Sequence, residues 1–318
     1  YYINDCFARG ESNRTIEMKY YHLSRFARWA KKQKITKIKE LDLALVEAYR
    51  RYLREYIIPH NKQRLDLSTV RNYLTAIKTF VKRLYYHDVF KTNPLDKLEL
   101  PRKPPRLPKR VLSVGKVERC LSQTCDGSIK GLCNRVICEL YFATGIRRTE
   151  LAHLQLDDID ITEQLLTINL GKGAKDRIIP LSERACLWIS FYIQHLRPLY
   201  ANWLSGNILF LSDKGKAFKP ASLSDMVGKY MRRSGVAKSG STNLFRHASA
   251  TMMLDNDADI RIIQVMLGHA DLSTTQIYAH VSTRKLSEVY HKTHPSAIRK
   301  LPPNVESLLN SNTDNNTI

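Results

Sequence analysis

Residues 101–110 hold four prolines and five basic side chains in ten positions, and neither a helix nor a strand can run through them. Each proline fixes φ at about −65° and removes a backbone donor, and neighbouring like charges repel, so the stretch reads as an extended connector. It predicts two separately folded parts, residues 1–100 and 112–300, joined by a linker at 101–111. A length of 318 residues agrees, at a prior of about 150 residues per domain. Residues 301–318, rich in Asn and Ser, are expected to form a disordered tail.

Charge distinguishes the two parts. Lys and Arg number 51 against 30 Asp and Glu, a formal net charge of +21 at pH 7. Residues 1–110 hold 26 of the cations and 11 of the acids, a net +15, and the remainder carries +6. Cations on a solvated helix are ordinarily balanced by acids nearby, so this imbalance predicts a surface that faces a polyanion, with nucleic acid the first candidate. A hydrophobic fraction of 43%, with 13 Gly and 12 Pro, excludes a disordered, collagen-like or linker protein. The sequence opens with no basic segment followed by an apolar stretch, and no apolar run approaches the roughly 18 residues of a membrane span. A cytoplasmic protein with no membrane partner is therefore expected. The six cysteines lack the paired two-residue spacing of zinc knuckles and redox motifs, and no histidine sits among Cys120, Cys125, Cys133 and Cys138. They read as buried thiols and not as a metal site.

Apolar residues recur at helical spacing over residues 15–32 (Ile16, Tyr20, Leu23, Phe26, Ala27, Ala30), 41–56 and 67–86, with Ser12 or Asn13 as N-cap of the first. The third segment interleaves Arg71, Lys78, Lys82 and Arg83 among Leu74, Ile77, Phe80 and Val81. These cations, with Arg106, Lys109 and Arg110 in the linker and Lys175, Arg232 and Arg233 beyond it, are the candidates for DNA phosphate contact. Nothing in residues 1–100 reads as catalytic. From residue 113 the pattern is helical to 141, and after Pro220 to about 294. Residues 165–170, 177–181 and 208–211 are strand candidates, the first two flanking Gly171-Lys172-Gly173, whose glycines allow a tight hairpin turn. The expected fold is mostly α: a small helical domain, then an α-rich domain with a small antiparallel sheet.

Four places collect more polar residues than packing explains. In ATGIRRTEL, residues 143–151, a glycine ends one helix and the next begins with Arg147 and Glu150 three apart on one face. An arginine at a helix start opposes the macrodipole unless an anion receives it, although pairing with Glu150 alone also accounts for it. Lys172, at the hairpin tip, would by itself be an exposed turn lysine. In residues 240–247 a capping run precedes a helix that sets Asn243 and Arg246 three apart. In LGHADLSTTQIYAHV, residues 267–281, a helix stops at Gly268, His269 follows, and a short new helix carries Tyr278. Two arginines, a lysine, a histidine and a tyrosine together are what an in-line attack on a phosphodiester requires.

At these residues the sequence resembles the tyrosine recombinase (phage integrase) family, most of all the Xer-type recombinases and related mobile-element integrases. ATGIRRTEL, GKGAKDRIIPL, LFRHASAT and LGHADLSTTQIYAHV stand in the family's order without large insertions, and YHKTHPSA is similar to its C-terminal helix. The resemblance implies a helical, SAM-like core-binding domain over 1–100 and a catalytic domain over 112–300. It implies Tyr278 as the nucleophile, leaving a 3′-phosphotyrosyl DNA and a free 5′-hydroxyl, with Arg147 and Arg246 clamping the non-bridging oxygens. Lys172 would be the general acid for the 5′-oxygen, His269 would bond the phosphate or orient Tyr278, and Glu150 would support the arginines. No metal or nucleotide cofactor is implied, because the phosphotyrosyl bond stores the energy for religation. The implied partners are double-stranded DNA with a specific recombination site and further protomers completing a tetramer, identical or from a related recombinase, that exchanges strands through a Holliday junction. The helix around 286–294 would dock on a neighbouring protomer or pack on its own domain. With little chain before Ser12, a simple architecture without an arm-binding domain is expected.

One position departs from the pattern. Where the family has His opening its H-x-x-R motif, this chain has Asn243, which can donate a hydrogen bond to a phosphate but cannot take the tyrosine proton or carry charge. His247 points about 100° away on a helix and is a poor replacement. Three explanations stay open: a natural variant in which Asn suffices, a change that traps a complex, and a homologue that binds DNA without cutting it. Slowed chemistry is the expectation, since both arginines, Lys172 and Tyr278 are present. A type IB topoisomerase, which shares the phosphotyrosine chemistry, is the remaining alternative.

Overall fold

The computed structural model describes residues 1–59, 61–102, 112–169, 176–237, 242–268 and 283–298. The chain divides into two compact units, Tyr1–Leu107 and Pro108–Ile318.

The first unit is built from helices α1 (Tyr2–Ala8), α2 (Asn13–Lys32), α3 (Leu43–Glu55) and α4 (Leu67–Tyr86). Side chains set three of the four starts: Ser12, Asp42 and Asp66 accept from the N–H groups of Thr15, Leu45 and Ser68, amides that the helix itself leaves without acceptors. Helix α4 packs against α2 and α3. It buries Val70, Tyr73, Leu74, Ile77 and Val81 against Phe26, Trp29, Val46, Tyr49 and Leu53. The chain beyond α4 folds back so that Leu95 and Leu98 join this core. Lys78 holds that return by donating to the Leu98 carbonyl at 2.7 Å, and Arg71 by donating to the Pro101 carbonyl at 2.6 Å. Apolar spacing does not predict α1, which buries only Tyr2 and Cys6, beside Ile16.

The second unit begins with α5 (Val114–Ser122), α6 (Ile129–Thr144) and α7 (Arg148–Ala152). A sheet of β1 (Ile159–Asp160), β2 (Leu165–Ile168) and β3 (Arg177–Pro180) follows, in that spatial order and antiparallel throughout. Then come α8 (Glu183–Phe191), α9 (Pro220–Arg233), α10 (Thr242–Asp255), α11 (Ile260–Leu267), α12 (Thr283–Thr293) and α13 (Pro295–Ile298). The mostly helical fold with a small antiparallel sheet matches expectation. One predicted strand does not form. At 208–211 only Ile208 and Leu211 make single bridges, to Gln155 and Ala217, while Leu209 and Phe210 sink into the core, so that apolar run reflects burial and not strand pairing. The third strand is instead β1, two residues long and too short to alternate visibly.

Helix α6 is the centre of this unit. Its residues from Cys133 to Thr144 are all buried, with α5, α8, α10 and α13 around it. Its charges are paired internally: Glu139 with Arg135 at 3.1 Å and with Arg184 at 2.5 Å, and Arg184 also with Glu118 at 2.7 Å. A helix leaves its last carbonyls without donors, and here other elements supply them. Tyr290 of α12 donates to the Ala143 carbonyl at 3.0 Å and His294 Nε2 to the Phe142 carbonyl at 3.1 Å. Because His294 Nδ1 accepts the Ser296 N–H, the imidazole proton is assigned to Nε2, and burial holds its pKa down to about 3. Leu286, Tyr290 and His294 are all buried, so of the two expectations for this C-terminal segment the observed one is packing on its own unit. Among the described residues, no helix is long and apolar enough to cross a membrane.

Candidate active site

Gly145 ends α6 in the left-handed region, at φ 60°. A Cβ there would lie 2.7 Å from Leu267 Cδ2, so glycine is needed both for the turn and for the approach of α11. The turn delivers Arg147 to the N-cap of α7, with Glu150 one turn along. Glu150 Oε2 accepts the Arg147 backbone N–H at 2.9 Å, and Oε1 accepts Arg147 Nη1 at 2.7 Å. The pair suggested by the ATGIRRTEL spacing is therefore a real contact.

A third side chain, Arg177 at the start of β3, reaches the same carboxylate. Its Nη1 and Nη2 donate to Glu150 Oε1 and Oε2 at 3.1 and 2.7 Å, the bidentate geometry that suits a guanidinium. Arg246, on the second turn of α10, stands beside them and touches no acid among the described residues: its Nη1 donates to the Gly145 carbonyl at 2.7 Å and its Nη2 to the Leu267 carbonyl at 2.6 Å.

The end of α11 organises all three arginines. Three successive carbonyls at and just past its terminus each accept from a different guanidinium: Met266 from Arg177, Leu267 from Arg246 and Gly268 from Arg147. These orphan carbonyls form the negative pole of the helix, which is where cations are favoured. Gly268 is left-handed at φ 61°, and a Cβ there would press on the Arg177 side chain at 3.1 Å.

Among the described residues, three guanidiniums around one carboxylate leave two uncompensated positive charges. Burial alone would raise the Glu150 pKa, but the Arg177 hydrogen bond and charge, joined by Arg147, reverse this and hold it down to about 2. Burial, followed by the charges of Arg147 and Arg177, pulls the Arg246 guanidinium down to about 10. The side chains of Arg177 and Glu150 are 8% and 6% exposed against 22% for Arg147, so the excess charge meets solvent through Arg147. Such a site can receive an oxyanion. Among the described residues, no cluster of His, Cys, Asp or Glu could hold a metal ion.

The other sequence candidates distribute as follows. Asn243 is exposed on the first turn of α10, one turn before buried Arg246, and no hydrogen bond joins the two; His247 is exposed as well. Lys172, His269 and Tyr278 lie outside the described residues, as do Arg106, Lys109, Arg110 and Lys175. Of the proposed phosphate contacts in the first unit, Arg71 and Lys78 hold backbone carbonyls of their own unit, and Arg83 pairs with Asp5 at 2.9 and 2.7 Å. Lys82 is exposed, 5.6 Å from the Tyr86 ring, and Arg232 and Arg233 are exposed at the end of α9. Arg177 is the site residue that the sequence reading missed. Its signal was there: two positions before buried Ile179, it stands on the inward face of β3, where a charge needs a partner.

Residues 110–285 match the phage integrase family, and residues 2–100 match the phage integrase SAM-like domain. The chain is 37% identical over 291 residues to tyrosine recombinase XerC 2 of Ralstonia nicotianae, spanning 92% of this chain and 83% of that one. It is 32% identical to tyrosine recombinase XerD of Lacticaseibacillus casei over 89% of this chain and 93% of the other. In fold it is similar to the Tn1549 transposon integrase solved in complex with circular intermediate DNA, with a TM-score of 0.68 at 18% identity, covering 89% of this chain and 95% of that one. The match spans both units and includes the segments that build the arginine cluster, and the chain belongs to the phage integrase family, as an Xer-like site-specific tyrosine recombinase.

Proposed function

We propose that this chain cuts and rejoins double-stranded DNA at a specific site through Tyr278, with the arginine cluster as the seat of the scissile phosphate. One observation carries the reading: Arg147 and Arg177 share the carboxylate of Glu150 while Arg246 beside them pairs only with backbone carbonyls among the described residues, so a buried site opens to solvent with positive charge to spare. A buried charge without a counter-ion is costly, and a phosphate diester bound there supplies the missing anion. The Tn1549 integrase of similar fold, solved with DNA, supports DNA as the partner.

In this reading the Tyr278 hydroxyl oxygen forms a bond to the phosphorus while the bond to the 5′-oxygen breaks, leaving a 3′-phosphotyrosyl DNA. Lys172 supplies the proton that the 5′-oxygen takes up, and the proton that the Tyr278 hydroxyl releases passes to solvent water. Arg147 and Arg246 bind the non-bridging oxygens, whose charge is greatest in the pentacoordinate transition state, so the stabilisation is differential. Glu150 fixes the Arg147 fork, and His269, the peptide neighbour of Gly268, bonds the phosphate or orients Tyr278. Asn243 donates to the phosphate and does not take the tyrosine proton, which slows the chemistry without ending it. Four protomers on two sites exchange strands in pairs through a Holliday junction, and the phosphotyrosyl bond carries the energy for religation with no cofactor.

The test incubates the protein and its Tyr278→Phe variant with a library of nicked duplexes that trap cleaved products, followed by denaturing electrophoresis. A covalent adduct formed only by the unsubstituted protein, and only on some sequences, is the expected result. Adduct formation on every sequence, with relaxation of arbitrary supercoiled plasmids, would favour a topoisomerase. DNA binding with no adduct, either with Asn243 or after Asn243→His, would favour a homologue that only binds.

A further inference from the structure

In the first unit, Tyr21, Arg25, Arg28 and Lys32 recur along α2 at spacings of four, three and four, and so share one face. With Tyr52 and Tyr56 from the end of α3, this face encloses an open pocket of about 460 Å³. Its lining holds three cations and four aromatic rings and no carboxylate.

Arg25 is the feature that ordinary packing leaves unexplained. Its guanidinium lies 4.1 Å from the centre of the Tyr56 ring and 5.3 Å from that of Tyr73, and Nη1 donates to the Tyr73 hydroxyl at 2.9 Å. Its Nη2 is buried with no hydrogen-bond partner, and so is the hydroxyl of Tyr49, which lies close enough to feel the Arg25 charge. Other arginines of this unit find acids: Arg83 pairs with Asp5 and Arg50 with Glu47. Lys32 sits in the last turn of α2, where the helix dipole favours a cation, but Arg25 is in mid-helix and has no such support. A partly buried guanidinium that faces only phenol oxygens lacks a counter-anion. The planar fork of Arg25 matches a phosphate, and the surrounding rings offer flat faces to a base.

We propose that this pocket seats one phosphate-bearing nucleotide unit, its phosphate facing the Arg25 side chain with Arg28 and Lys32 alongside and its base against Tyr52 and Tyr56. The unit is either a free mononucleotide or one nucleotide of a DNA strand. Only the DNA source rests on the function proposed above.

The full-length protein is titrated calorimetrically with adenosine monophosphate, inorganic phosphate and adenosine, and by anisotropy with a labelled DNA strand and duplex. The same titrations are run on Arg25→Met, with its fold checked by circular dichroism, and on Arg28→Gln/Lys32→Gln, whose exposed positions leave the core untouched. If the source is free, adenosine monophosphate binds at least about fivefold more tightly than inorganic phosphate, as base stacking requires, and Arg25→Met abolishes the difference. If the source is DNA, the mononucleotide does not bind, yet both variants weaken DNA binding and lower its salt slope by about one for each phosphate no longer neutralised. Unsubstituted protein that binds DNA, with no mononucleotide binding and no change in either variant, would overturn the pocket and leave the recombinase reading standing. Mononucleotide binding that depends on Arg25, in a protein that binds no DNA, would uphold the pocket and overturn that reading. Binding of neither ligand would overturn both.

Discussion

At the scale of single residues, the site turns on how Glu150 is shared. It is 6% exposed and held by two forks, one from its own helix turn and one from a strand distant in sequence. Arg177→Met removes the larger influence on its charge and leaves a buried carboxylate paired to Arg147 alone. Breaking such a pair costs about 3 kcal/mol of stability. Arg177 is a positioning residue, so more than stability should change: the acid limb of the cleavage rate profile moves to higher pH as the Glu150 pKa rises from about 2, and Arg177→Lys restores part of the rate by returning the charge without the fork. A profile that keeps its shape while only the melting temperature falls would confine Arg177 to scaffolding. Asn243 makes a separate prediction. Asn243→His supplies a proton acceptor at an exposed position one turn from Arg246, and single-turnover cleavage should rise by about 10² or more, the usual contribution of a positioned base. An unchanged rate would mean that no base acts from this position.

At the scale of elements, the sequence is most legible where periodicity is long. Helix α4 spans Leu67–Tyr86, as its apolar spacing predicts, because five of its seven buried residues face one core. Helix α1 and strand β1 were not legible: the first buries two residues and the second is two residues long, so neither shows a period. Arg147, Glu150 and Arg246 could be picked out from local motifs, whereas for Arg177 the alternation of β3 signals only that a charge faces inward, and its partners, Glu150 and Met266, are brought near by the tertiary fold alone. The end of α6 depends in turn on α12 and His294. Burial, only partly offset by the Phe142 carbonyl, depresses the His294 pKa to about 3 from an ordinary value of 6.5. An unfolded chain therefore binds a proton below about pH 6.5 that the folded chain refuses until about pH 3. Its contribution to stability is complete above that upper limit and is lost progressively as pH falls between the two. Thermal unfolding from pH 7 to 4 should show a steeper loss for the unsubstituted protein than for His294→Gln, which removes the titrating group. Parallel curves would place the acid sensitivity elsewhere.

At the scale of the whole molecule, charge is arranged in two ways. A diffuse excess, +15 over residues 1–110 and +6 over the rest, attracts a polyanion without choosing a bond. A compact excess, three guanidiniums on three carbonyls at the end of α11 with one carboxylate, Glu150, held by two of them, can choose one. The basic composition and the proline-rich connector made the first legible from sequence, and the second needed the fold. The central claim is that the compact cluster binds the charged oxygens of the scissile phosphate. The direct measurement compares single-turnover cleavage by the unsubstituted protein and by Arg147→Ala on two otherwise identical trapping duplexes, one with a normal phosphate and one with a neutral methylphosphonate at the cut site. On the phosphate, losing one such donor should slow cleavage by about 10²- to 10³-fold. On the neutral linkage, which has less charge to stabilise, the loss should shrink at least about tenfold, whereas an equal loss on both duplexes would contradict the claim that Arg147 acts on phosphate charge.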